Sequence, residues 1–151
     1  MEDWIPLVVA LTSLALGGIV FGIGGVLTPI GGIWTDGDRK ILLYQTGPFV
    51  VGRCERAGGE ERFKGYASFG KLWLTRYATG ASYLNAMGFG LDVLHLLENQ
   101  PLARYTLTLS GHQLTGLFEG RKFSFAHAPA RILSVTRLPP QSRVLERVST
   151  I

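Results

Sequence analysis

The chain has 151 residues, of which 15 are Lys or Arg and 11 are Asp or Glu, giving a formal net charge of +4. This length fits a single small domain beside any membrane segment, and the single cysteine excludes an intrachain disulfide. The basic residues form no dense run and no nucleic-acid-binding motif is present, so nucleic acid is not a predicted partner.

The most distinctive stretch is the apolar run from Ile5 to Leu27, which contains no charged residue. As a helix it would reach roughly 35 Å, enough to cross a hydrocarbon core of about 30 Å. A cleavable signal peptide is disfavoured because no Lys or Arg precedes the run. A helix in the core of a soluble domain is disfavoured because only Thr12 and Ser13 are polar. The run therefore predicts a single transmembrane helix.

The charges that flank this run predict its orientation. Glu2 and Asp3 precede the run, whereas Arg39, Lys40 and Arg53 follow it. Because cytoplasmic flanks are rich in Lys and Arg, the N-terminus is predicted to be translocated and the C-terminal domain to be cytoplasmic. A bacterial inner membrane is the expected location.

Four residues near the ends of the run are predicted to lie at the membrane interface. Trp side chains favour the headgroup level because the ring is apolar and its N–H can hydrogen-bond, and basic side chains favour anionic headgroups. The predicted interface residues are Trp4, Trp34, Arg39 and Lys40.

The predicted helix also carries small residues that favour helix packing. Gly18 and Gly22 form one GxxxG motif, and Ser13 with Gly17 forms a similar small-residue step. Glycine lowers helix propensity, so several glycines in one helix indicate a packing partner, although glycine is also common in membrane helices generally. The predicted packing residues are Ser13, Gly17, Gly18, Gly22 and Gly25.

After Lys40 the pattern changes to short segments rich in β-branched and aromatic residues, separated by glycine turns. Residues 1–33 are predicted to form the tail, transmembrane helix and linker, and residues 34–151 a basic, mainly-β domain. Regularly spaced strands of this kind predict an antiparallel barrel or sandwich of about eight strands. The predicted strands cover residues 41–46, 49–53, 62–66, 71–77, 105–109, 113–118, 122–125, 131–137 and 144–148.

One insertion interrupts this β pattern. Leu91, Leu94 and Leu97 recur at helical spacing and are followed by Asn99 and Pro101, which predicts one short helix. The preceding segment, Tyr83 to Phe89, is predicted to be a loop.

The sequence contains no recognisable catalytic or metal-binding constellation. His95, His112 and His127 are far apart in the chain, and Asp36 and Asp38 flank a glycine as in a turn. Cys54 lies next to Arg53 and near Arg56, which would lower its pKa, but an inert, half-buried thiol is the simpler interpretation. No cofactor, metal site or catalytic residue is predicted.

The leading hypothesis is therefore a non-enzymatic single-pass membrane protein that acts as an accessory or assembly subunit of a larger membrane protein complex. Its helix and β domain would contact other subunits, and lipids, including anionic ones, would surround it. An alternative is a membrane-tethered β module that binds anionic lipid or a small ligand through Arg39, Lys40 and the barrel mouth. A third, an enzyme whose site is assembled from distant residues, would require a pocket that joins two histidines and a carboxylate.

Overall fold

The structure is a computed structural model that describes the backbone of residues 5–151 and the side chains of residues 9–25 and 27–151. Its first element is helix α1, Ile5–Val26, which confirms a helix over most of the apolar run. Over the described residues, no helix is both long and apolar enough to cross a membrane, so the predicted transmembrane span is not supported.

The rest of the chain is built around a closed antiparallel β-barrel, which decides between the predicted barrel and sandwich. Eight strands follow one another in the order β6-β5-β4-β3-β2-β1-β9-β7, and pairing of β6 with β7 closes the ring. The ninth strand, β8, pairs only with the distal half of β7. The strands are β1 Gly32–Thr35, β2 Lys40–Thr46, β3 Phe49–Arg56, β4 Gly59–Ser68, β5 Lys71–Thr79, β6 Ala103–Ser110, β7 Gln113–His127, β8 Ala130–Arg137 and β9 Gln141–Ser149.

Two differences from the predicted strands affect the architecture. The segments 113–118 and 122–125, predicted as two strands, belong to the single strand β7, because Glu119 and Gly120 continue it and pair with Arg104 and Ala103 on β6. The short strand β1 was not predicted. It begins at Gly32, inside the predicted linker, and joins β2 to β9.

The insertion between β5 and β6 forms two short helices where one was predicted. Helix α2, Ala81–Ala86, overlaps the segment predicted to be a loop, so that prediction is wrong. Helix α3, Leu94–Leu97, confirms the predicted helix over a shorter range. Both helices pack with the projecting β7–β8 hairpin around a second apolar cluster: Ala78, Leu84, Leu97, Leu102 and Phe123.

The main core fills the barrel. Inward-facing residues alternate along each strand, as in Ile41 and Leu43 of β2 or Leu72 and Leu74 of β5, and all four are buried. Fully burying one such side chain stabilises the fold by about 1.5–3 kcal/mol. Trp34 lies among them with no exposed surface, and its indole N–H donates to the carbonyl oxygen of Ile30 at 2.8 Å.

Helix α1 is fixed to one end of the barrel by hydrogen bonds to its last carbonyl groups. The carbonyl oxygen of Gly24 accepts from the Phe69 amide at 3.1 Å and from the Thr28 hydroxyl at 2.8 Å. The carbonyl oxygen of Gly25 accepts from the Gln45 side-chain amide at 2.8 Å. Because carbonyls at a helix C-terminus lack partners within the helix, these donors stabilise the end of α1 and set its direction.

Candidate functional site

The first candidate site is the outer surface of α1. Among the described side chains of α1, seven large apolar ones have more than half of their surface exposed, and Leu14 reaches 73%. Contiguous apolar surface of this kind marks a protein or membrane interaction site rather than an ordinary solvated face. The seven are Val9, Leu11, Leu14, Leu16, Ile19, Val20 and Ile23.

An aromatic group surrounds the point where α1 meets the barrel. We call Phe49, Tyr66, Phe69 and Trp73 the aromatic collar. The ring of Phe21 on α1 lies 5.6 Å from that of Tyr66, which stacks on Trp73 at 4.8 Å. The side chains of Phe49 and Phe69 are mostly exposed. Aromatic side chains at the foot of an apolar helix are typical of the boundary between water and a membrane.

A groove of about 640 Å³ separates part of α1 from the collar. Leu16, Val20 and Phe21 form its helix side. Tyr66 and Trp73 form part of its barrel side, and the cation of Lys71 lies at the same surface. The groove therefore combines apolar walls with a single positive charge.

The predicted helix-packing residues fall into two groups. Apart from adjacent residues and the backbone of α1 itself, no described atom lies within 4 Å of the position that a Cβ atom would take at Gly17, Gly18 or Gly22, and Ser13 is exposed. Gly25 differs, because a Cβ there would lie 2.4 Å from the Cα of Pro48. Gly25 therefore packs against the β2–β3 turn of its own chain.

None of the predicted interface residues that the structure describes flanks α1. Trp4 lies outside the described residues. Trp34 is buried in the barrel, so its indole cannot reach a headgroup layer, and that prediction is wrong. Lys40 is the first residue of β2 and Arg39 precedes it, whereas Gln45, near the other end of the strand, contacts α1. They are thus roughly 17 Å along the strand from the helix, too far to flank it.

The second candidate site is a charged layer inside the barrel at the end remote from α1. We call Arg39, Arg56, Arg76 and Arg143 the arginine layer. The carboxylate of Glu61, 1% exposed, lies among three of them. The Oε2 atom of Glu61 is 3.4 Å from the Nη1 of Arg39, and its Oε1 atom is 3.5 Å from the Nη1 of Arg76 and 3.7 Å from the Nε of Arg56.

Two further groups complete this network. The Tyr83 hydroxyl, on α2, donates to Glu61 Oε1 at 2.5 Å, so the insertion covers the charged layer. Asp36 accepts a hydrogen bond from the Nε of Arg39 at 2.8 Å. Among the described residues, the four guanidinium groups of the arginine layer lie with two carboxylates, those of Glu61 and Asp36, which leaves an excess of positive charge within the barrel.

The pKa shifts follow from this arrangement. Burial acts to raise the pKa of Asp36, but the hydrogen bond and charge of Arg39 outweigh it and hold that pKa below its ordinary value. Burial acts to lower the pKa of Arg39, and the hydrogen bond to Asp36 with the charges around it raises that pKa overall. Burial, with the hydrogen bond to Glu61, raises the pKa of Tyr83. These groups keep their ordinary charges at neutral pH.

Several buried donors in the layer have no acceptor among the described residues. They are the Nε atoms of Arg56, Arg76 and Arg143 and the hydroxyl of Tyr105, whose side chain is 1% exposed. An unsatisfied buried donor costs about 1–3 kcal/mol. An anion is the ligand that such a group of donors favours.

The remaining candidate chemical groups are dispersed. The Nδ1 atom of His127 lies 2.5 Å from Asp92, while His95 is on α3 and His112 is in the β6–β7 turn. Across residues 5–151, no three His, Cys, Asp or Glu side chains come together to hold a metal ion. Cys54 is fully rather than half buried, and burial raises its pKa, so the thiol stays protonated.

The arginine layer was not predicted, although the sequence contains a signal for it. In a strand, residues two apart share a face. Glu61 is in phase with the buried Phe63, and Arg76 is in phase with the buried Leu74 and Ala78. Charged residues in phase with a strand's core residues therefore indicate a polar interior.

The fold and these surfaces define a closed eight-stranded β-barrel with an exposed apolar helix at one end and an arginine-rich interior at the other. Comparison of the sequence with models of known protein families, with curated proteins and with solved structures gives no match in any of the three.

Proposed function

We propose that this protein is a non-enzymatic accessory or assembly subunit of a larger membrane protein complex. The observation that carries the proposal is the exposed apolar surface of α1 beside the aromatic collar. In this arrangement α1 and the collar lie in the apolar environment of the membrane complex, and the barrel projects from it. The Lys and Arg residues, all from Arg39 onward, favour a cytoplasmic barrel at a bacterial inner membrane.

The rigid attachment of α1 supports this role. Three hydrogen bonds from Phe69, Thr28 and Gln45 hold the helix end, so the barrel would be presented to neighbouring subunits in one orientation. The open surface at Gly18 and Gly22 allows a second helix to approach closely, which favours association through dispersion contacts.

A substitution at Gly18 tests the packing of a partner helix. Gly18→Leu adds a large side chain where this chain has open space, so the purified protein is expected to remain as stable as the wild type or to become slightly more stable. In the complex the same side chain would separate the helices. We therefore expect the variant to lose co-purifying subunits, at least tenfold by quantitative mass spectrometry after gentle solubilisation of the membrane.

Val20→Phe is the matched control, since it places a side chain at least as large as leucine at an exposed position about 160° round the helix from Gly18 and Gly22. Val20 is not a predicted packing residue, so this variant should retain the partners. If wild-type protein is recovered as a lone monomer, or if Gly18→Leu retains its subunits as well as Val20→Phe does, the proposed packing is wrong.

The second candidate is a membrane-tethered module that binds an anionic lipid. The groove between α1 and the collar favours it, because apolar walls beside Lys71 suit an acyl chain with an anionic headgroup. The same purification distinguishes the two: wild-type protein that carries anionic lipid but no other subunit supports the lipid-binding module.

A further inference from the structure

The barrel wall has an opening beside the arginine layer. Pairing between β2 and β3 runs from Thr46 and Phe49 only as far as Leu42 and Arg53. Beyond that point β3 continues to Arg56, paired with β4, while β2 continues towards Lys40, paired with β1. The two strands therefore separate at the end of the barrel remote from α1.

This separation creates a cleft of about 380 Å³ that reaches two members of the arginine layer. Four cations line it, Arg39, Lys40, Arg53 and Arg56, with two carboxylates, Asp38 and Glu55. The residues that line the cleft thus carry an excess of two positive charges, although Asp36 and Glu61, which lie behind the lining, pair with Arg39 and Arg56. Within residues 5–151, Lys40 and Arg53 form no ion pair with an acidic side chain.

Arg56, one of the residues that line the cleft, also carries an unsatisfied donor. The Nε atom of Arg56 is buried and has no hydrogen-bond acceptor in the described part of the chain, and its approach to Glu61 is only 3.7 Å. Guanidinium groups bind phosphate through paired N–H donors with a fixed geometry, which gives both affinity and specificity.

We propose that the β2–β3 cleft binds a compact dianionic oxyanion, a phosphate group, through Arg39, Arg53 and Arg56. The cleft is larger than a phosphate ion, so it also accommodates the rest of a small phosphorylated molecule. The phosphate is a soluble one and not a lipid headgroup, because the cleft lies roughly 17 Å along β2 from the α1 end of the barrel. The choice of a soluble phosphate over a lipid headgroup rests on the proposed function, which places α1 in the membrane. The phosphate site itself does not rest on it.

Titration of full-length protein in neutral detergent with inorganic phosphate, at constant ionic strength set by chloride, tests the proposal. A ligand that binds only the folded state raises the thermal midpoint in a saturable way. We expect this rise for the wild type and an apparent affinity about tenfold weaker for Arg53→Gln, since one charge-assisted contact is lost. Arg53 is exposed, so the variant should fold, and its midpoint without phosphate checks this.

Arg104→Gln is the control, because it removes the same charge from an exposed position on β6, three strands away from β3. It should bind phosphate within about twofold of the wild type, a change well below the tenfold loss of one contact. No saturable shift in the wild type, or equal weakening in both variants, would overturn the proposal.

Reconstitution distinguishes the source of the phosphate. Phosphate affinity should be the same in vesicles of phosphatidylcholine alone and in vesicles that also contain phosphatidylglycerol. If the affinity for phosphate falls in the vesicles that contain phosphatidylglycerol, by more than it changes in Arg104→Gln, the lipid headgroups compete for the cleft. That result would overturn the assignment to a soluble ligand.

Discussion

Glu61→Gln is expected to lower the free energy of unfolding by about 3–5 kcal/mol, the typical effect of breaking a buried ion pair by removing one partner. The substitution keeps the shape of the side chain, but it replaces one of the two acceptor oxygens with an amide NH2 group, which only donates. What it removes is the negative charge that lies within 4 Å of Arg39, Arg56 and Arg76. Three guanidinium groups would then remain in the barrel without this shared carboxylate.

Glu60→Gln is a close control for that effect. Glu60 is the preceding residue on β4, its side chain is 28% exposed, and it pairs with the exposed Arg62 at 2.6 Å. An exposed pair contributes at most about 1 kcal/mol, so this variant should unfold almost as the wild type does. Chemical denaturation of the wild type and both full-length variants in neutral detergent measures their free energies of unfolding. Similar losses for the two variants would show that Glu61 is not the centre of the charged layer.

Trp34→Ala is expected to destabilise the protein by about 3–5 kcal/mol, the usual range for truncating a buried aromatic side chain. Trp34 has no exposed surface, donates to the carbonyl oxygen of Ile30, and lies 4.5 Å below the guanidinium of Arg147. Its loss would leave a cavity in the core of the barrel. The same denaturation experiment measures the effect.

Trp73→Ala provides the comparison with a tryptophan on the outside of the barrel. Trp73 stacks on Tyr66 at 4.8 Å and is only partly buried. Loss of one such pair costs about 0.5–1.5 kcal/mol beyond the area that it buries, so Trp73→Ala should be clearly the milder variant. Equal effects of the two substitutions would contradict the placement of Trp34 in the barrel core.

The barrel was largely predictable because its strands alternate between apolar and polar residues and are separated by glycine turns. What escaped prediction depends on tertiary pairing. The segment Gly32–Thr35 is too short and too close to Pro29 to indicate a strand, and it becomes one only between β2 and β9. Gly120 resembles a turn residue, yet it lies in the middle of β7, where the strand changes partner from β6 to β8.

The candidate functional surfaces were predictable from the sequence to different degrees. The apolar character of α1 is evident in the sequence, whereas the collar forms only when β3, β4 and β5 bring its rings to the foot of the helix. Trp34 shows the opposite error: its position after the apolar run indicated an interface, but closure of the barrel buries it. Arg39 likewise appeared to flank a membrane, and the direction of β2 carries it to the far end.

Accessibility of α1 in native membranes tests the central claim most directly. In a Cys54→Ser background, single cysteines are introduced by Leu14→Cys on α1 and by Leu133→Cys on β8, and open membrane fragments are treated with a membrane-impermeant maleimide. In the isolated chain Leu14 is 73% exposed and Leu133 57% exposed. If lipid or partner helices cover α1, Leu14→Cys will react at least tenfold more slowly than Leu133→Cys. Equal or faster reaction at Leu14→Cys would contradict the proposal.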